Sequence, residues 1–197
     1  MAEGVPRSSG KKRAESAGLH VALLRGINVG GKNKLAMADL AAMFVSAGCS
    51  DVRTYIQSGN VVFAATEACE VCGRVSAAIQ RQFGFEGRIV VRSAAEMRAV
   101  VSGNPLLEGA DPKSLYVGFL AEQPSLERVR ALDPRRSPGD EFGVAGREIF
   151  MRLGTGAADA RLTNAWFDRS LGTFSTFRNW RTVLRLTAMA SGDESLV

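Results

Sequence analysis

Residues 26–33, Gly-Ile-Asn-Val-Gly-Gly-Lys-Asn, have the spacing of a phosphate-binding loop: a glycine, an intervening run, then Gly31-Lys32. In such a loop the glycines let backbone N–H groups converge on a phosphate while the lysine neutralises it. The context departs from that of a nucleotide triphosphatase. Asn33 stands where a serine or threonine would ligate magnesium, and the next helix is expected to begin near Leu35 or Ala36, later than the motif requires. No strand ends in an obvious magnesium-binding aspartate. A simpler chemistry survives. Arg25, Asn28, Gly30, Gly31, Lys32 and Lys34 form a glycine-rich, acid-free basic segment close to a helix N-terminus. Segments of this kind hold anions, phosphate above all.

Three further residues join the candidate ligand-binding set. Gln57 and Asn60 flank the turn Ser58-Gly59, and their amides can both donate and accept hydrogen bonds. The strand leading to Arg25 and the strands of this hairpin can be sheet neighbours, which would bring both amides to the loop. Arg178 precedes Asn179, an expected N-cap, and a guanidinium beside a helix N-terminus can grip a carboxylate or phosphate. It is expected to face the same cleft as Lys32. Trp180 opens the apolar face Trp180, Val183, Leu184 and is read as packing.

No catalytic constellation is visible. The chain has one histidine, His20, and neither a nucleophile elbow nor a carboxylate pair stands out. Cys69-x-x-Cys72 falls in the first turns of a helix after an acidic turn, whereas thioredoxin-like pairs follow a strand in another βαβ context. Buried or half-buried thiols are expected instead. Three cysteines and one histidine offer no useful metal-ligand spacing. No metal and no cofactor are expected.

The elements that must position these residues follow from periodicity. Residues 20–24 read as a buried strand. Met37, Leu40, Ala41, Phe44 and Val45 lie on one helix face, with Gly48 as a stop. Residues 52–56 and 61–64 are β-branched and aromatic and make a hairpin. Thr66 is expected to cap a helix carrying Val71, Val75, Ile79 and Phe83; Gly84 ends it, and residues 88–92 form another strand. The order β-α-β-β-α-β is the split βαβ arrangement of ferredoxin-like units. Ser93 then caps a connecting helix with Met97, Val100 and Val101 inward. A second series follows: a strand at 115–120, a short helix from Pro124 to Leu132 with Leu126 and Val129 inward, and a hairpin from 141–145 and 148–153. Helices are expected from Ala158 to Leu171 and from Trp180 to Met189.

Three stretches carry a family resemblance: residues 23–34 (L-L-R-G-I-N-V-G-G-K-N-K), 54–63 (T-Y-I-Q-S-G-N-V-V-F) and 178–183 (R-N-W-R-T-V). Together they resemble the bacterial family catalogued as domain of unknown function 1697, over about residues 19 to 190. The resemblance implies two ferredoxin-like halves and no agreed activity. In the third stretch the family more usually has an asparagine where this chain has Arg181.

The expected fold class is thus α+β, with two ferredoxin-like halves forming a pseudo-duplicated protein. Residues 1–18 are read as a flexible basic tail, 19–93 as the first half, 94–112 as connecting helix and linker, and 113–197 as the second half with its C-terminal helix. A chain of 197 residues at net charge +5 with ordinary globular composition needs no disulfide framework. No apolar run reaches the length of a membrane span, and the first residues lack a secretory signal core. A cytoplasmic protein with no membrane partner is expected. Two basic, acid-free stretches, 25–34 and 169–192, point to an anionic partner. A small phosphorylated or otherwise anionic ligand is the leading expectation. A single-stranded nucleic-acid module with Tyr55 and Phe63 on the sheet, and a protein-interaction domain for an acidic partner, are the alternatives.

Overall fold

The computed structural model describes residues 17–154, 156 and 160–196, so the expected tail lies almost wholly outside it. The N-terminal run is β1 (Gly18–Leu24), α1 (Met37–Ser46), β2 (Ser50–Tyr55), β3 (Asn60–Ala65), α2 (Ala68–Phe83), β4 (Ile89–Ser93) and α3 (Ala94–Ser102). The C-terminal run is β5 (Leu115–Leu120), α4 (Leu126–Arg130), β6 (Asp140–Ala145), β7 (Glu148–Leu153), α5 (Asn164–Leu171), β8 (Ser175–Asn179) and α6 (Trp180–Ser191). The protein is therefore mixed α+β, with two four-stranded sheets in which every pairing is antiparallel. Their strand orders, β2-β3-β1-β4 and β6-β7-β5-β8, are the same permutation.

Each sheet is apolar on both faces, and each face is covered. Alternate residues of β1 and β3, among them Ala22, Leu24, Val61 and Phe63, pack under α1 and α2. Their neighbours Val21, Leu23 and Val62 face the other way, into a cluster shared with Val117 and Phe119 of β5, Met97 of α3, and Trp180, Val183 and Leu186 of α6. The period of two within a strand makes this division. The outer face of the C-terminal sheet closes under α5 through Ile149, Met151, Phe167 and Leu171. Helices α3 and α6 thus share one core with the inward faces of both sheets.

Several sequence expectations are corrected. Residues 175–179, assigned to no element in the sequence, form β8 beside β5. Leu126, expected inward, is 70% exposed, because α4 has only five residues and turns this side chain to solvent. Glu67 rather than Thr66 occupies the N-cap of α2, and no side chain caps it. Helix α5 starts at Asn164, where Thr163 accepts a bond from the Trp166 N–H; the expected start at Ala158 lies outside the described residues. Asn179 does cap α6, accepting from the Thr182 N–H at 2.8 Å, and Trp180 is buried in the shared core.

Candidate functional site

The glycine-rich segment is a closed hairpin. Lys32 donates its N–H to the Val29 carbonyl at 3.1 Å, and Asn28 donates to the Asn33 carbonyl at 3.1 Å. Gly30 and Gly31 are the two central residues, both at positive φ (58° and 75°), the conformation a tight two-residue turn of this hand requires. Asn28 and Asn33 also lie in the left-handed region and lock the base of the hairpin. Asn28 Nδ2 donates to the carbonyls of Leu35 and Gln57, each at 2.9 Å, while its Oδ1 accepts from the Leu35 N–H. Asn33 Nδ2 donates to the Gly26 carbonyl. Asn28 is therefore a structural brace, and Gly30, Gly31, Lys32, Lys34 and Gln57 are the exposed members of the expected set.

Arg25, Asn60 and Arg178 lie where the two sheets meet. Arg25 pairs with Asp168 of α5, whose other oxygen accepts from the Ser175 N–H and hydroxyl at 2.8 Å each. Asn60 is fully buried at the start of β3; it donates to Tyr55 and Ser58 and accepts from Arg178 Nε at 2.5 Å. Arg178, only 8% exposed, also donates to Leu24 O (2.7 Å), Thr176 Oγ1 (2.8 Å), Phe177 O (2.8 Å), and Ser58 O (3.1 Å). Gly59 sits under this guanidinium at φ 74°; a Cβ there would meet Ile27 and Leu24 at 2.7 Å. Lys32, expected to face the same cleft, is not among the residues that line the cavity beside Arg178. Truncating Arg178 would orphan several acceptors at the joint of the sheets, which makes it a structural residue as well as a site candidate.

Arg92 performs the reciprocal task and was missed in the sequence. It lies on β4, 1% exposed, and reaches into the C-terminal sheet: Nε to Glu148 Oε1 at 2.8 Å, Nη2 to Leu120 O at 2.8 Å and Arg147 O at 3.0 Å. Burial lowers its pKa, and Glu148 opposes that shift. The available signal was an arginine immediately before each N-cap, Arg92-Ser93 and Arg178-Asn179, each at the end of a strand.

The two buried arginines differ in one respect. Arg92 has a carboxylate partner, whereas every acceptor on Arg178 is neutral. Burial alone pushes the Arg178 guanidinium down to about 10, so it remains charged at neutral pH. It borders a cavity of about 550 Å³ whose lining, among the described residues, contains no acid. Thr163 and Asn164, at the start of α5, and Asn179 and Thr182, at the start of α6, line the same space. The N–H groups of a first helical turn lack intrahelical acceptors and carry partial positive charge. Ile56, Tyr116, Leu162 and Phe177 supply an apolar wall.

The remaining groups offer little chemistry. Cys72 is buried, and desolvation pushes its thiol up to about 12, which leaves it protonated and unreactive; Cys69 is exposed. Phe63 is fully buried against Phe44, so it offers no stacking surface to a base. Among the described residues, no group of three or more His, Cys, Asp or Glu could hold a metal, and no helix is long and apolar enough to cross a membrane.

Known proteins place the chain. The family model described as protein of unknown function (DUF1697) matches residues 19–150, and the chain belongs to that family. A conserved bacterial protein, SP0830 from Streptococcus pneumoniae, shares the fold, with a TM-score of 0.72 at 22% identity over 89% of this chain and 99% of that one. No curated protein matches.

Proposed function

We propose that this protein binds a small anionic ligand in the cavity beside Arg178, at the joint between its two sheets. The observation that carries this is a buried guanidinium that, among the described residues, has no carboxylate partner and borders a cavity with no acid in its lining, at the start of two helices. A buried charge is costly unless it is paired, and a ligand anion would supply the missing charge. We also read the two runs as copies of a ferredoxin-like split βαβ unit, 19–93 and 113–197 joined by 94–112; the shared strand order supports this.

The test is a thermal-shift screen of the full-length chain against small phosphorylated and carboxylated molecules at constant ionic strength. At least one should raise Tm, and Ser58→Asp, which puts an acid beside Arg178, should cut that ligand's affinity about tenfold, or ~1.4 kcal/mol. A screen in which no anion moves Tm overturns the reading.

The exposed hairpin supports a second reading. Lys32 and Lys34 take part in no ion pair among the described residues, and Val29 at the tip is 65% exposed. Two lysines meeting the phosphates of a single strand would give a log-log salt slope of about −1.4. Anisotropy with labelled single-stranded RNA measures it, and a slope unchanged by Lys32→Ala removes the hairpin from any such contact.

A further inference from the structure

The anion reading can be sharpened, because the chain contains its own comparison site. Strand registers match residues between the two sheets. Val21 lies opposite Arg92 as Val117 lies opposite Arg178, and Leu23 opposite Asn60 as Phe119 opposite Glu148. Leu24 takes the Gly59 carbonyl as Leu120 takes that of Arg147. Ser93 and Asn179 are the matching N-caps, and three residues into each helix stand Glu96 and Thr182.

At the Arg92 end these positions hold a balanced set of charges. Arg92 pairs with Glu148, and Arg147 pairs with Glu96. The Glu96 carboxylate folds back over the N-terminus of α3 and accepts from the Ser93 N–H at 2.7 Å and its hydroxyl at 3.0 Å. At the Arg178 end the matching residues are Arg178, Asn60, Gly59 and Thr182: one cation and no acid. Asn60 reproduces the hydrogen bond of Glu148 without its charge. Thr182 is too short to reproduce the carboxylate of Glu96, and it lines the cavity instead.

Resting on the anion reading, we propose that the ligand is a small carboxylic acid with an apolar body. Its carboxylate takes at α6 the place that the Glu96 carboxylate takes at α3, with its charge set against Arg178. The apolar body lies along Ile56, Tyr116, Leu162 and Phe177, the uncharged wall of the same cavity. The N-terminal partial charge of α6 favours the same group in the same place. A phosphate would meet the charge but would leave this wall uncovered.

The experiment compares Tm of the full-length chain in sodium phenylacetate, sodium phosphate and sodium chloride at equal ionic strength. Phenylacetate at concentrations well above its dissociation constant should raise Tm by about 5 °C, with a smaller response to phosphate. Thr182→Glu places the missing carboxylate on the chain itself. It should raise Tm without ligand by about 3 °C and abolish the phenylacetate response. Thr182→Gln, similar in bulk but neutral, should give no such rise. If neither anion moves the wild-type Tm, the anion reading itself fails. If phosphate acts and phenylacetate does not, or if Thr182→Glu still responds like the wild type, the cavity binds anions but this placement and ligand class are wrong.

Discussion

Ile56 sits at φ 48° with about half of its side chain exposed, at the rim of the cavity. A β-branched residue in the left-handed region is a true outlier, and such a conformation costs about 1–3 kcal/mol. Asparagine tolerates that backbone. Ile56→Asn should therefore raise Tm by about 2–4 °C and, by removing part of the apolar wall, weaken the phenylacetate response. Thermal unfolding with and without the probe checks both; an unchanged Tm would show that the turn carries no strain. At this scale residue types were legible but their partners were not. Arg25, Asn60 and Arg178 were all picked out as site residues. The acceptors that bury Arg178 include Asn60 and Leu24, 118 and 154 positions away in the chain, a separation no local pattern encodes. Asn28 was picked out as part of the glycine-rich basic segment, and its amide ties its own hairpin to the Gln57 carbonyl.

The helices were largely legible because their apolar residues recur at helical spacing and their stops are marked by glycine. Gly84, Gly172 and Gly192 all take the left-handed C-cap conformation. Strand β8 escaped because Ser175-Thr176-Phe177-Arg178-Asn179 alternates nothing apolar; its buried residues are polar, Thr176 and Arg178 satisfied by the opposite sheet and Ser175 by Asp168 and Asn164 of α5. The two N-caps that follow matching strands should behave differently with pH. Asn179→Ala should cost about 1 kcal/mol at any pH. Burial alone would raise the Glu96 carboxyl, but hydrogen bonds from Ser93 and the nearby Arg147 and Arg92 hold it below the usual glutamate range. A folded-state pKa below the unfolded one contributes stability that is present at neutral pH and disappears as pH falls through the folded value. Glu96→Gln should thus be destabilising at pH 7, with the deficit against wild type shrinking as pH falls below about 4.5, the ordinary value. A deficit independent of pH would mean that its charge contributes nothing.

Across the whole molecule, the two tryptophans report on separate cores. Trp180 lies in the cluster shared by both sheets, and Trp166 packs with Phe142 and Phe167 on the outer face of the C-terminal sheet. Because α6 and the two arginines tie the sheets together, Trp166→Phe and Trp180→Phe variants should each unfold in one transition that coincides with their circular-dichroism melt. A Trp166 signal lost well before the melt would show that the outer core opens independently. The reciprocal arginines have a further consequence. Each sheet lends its partner an arginine and receives one at the matching place, which is the geometry of an isologous, two-fold interface. In a dimer of identical subunits, both ends of such an interface must carry the same residues. Within a single chain that constraint is lifted: one end holds the carboxylates of Glu148 and Glu96 where the other holds Asn60 and Thr182, and it is this broken symmetry on which the proposed carboxylate placement rests.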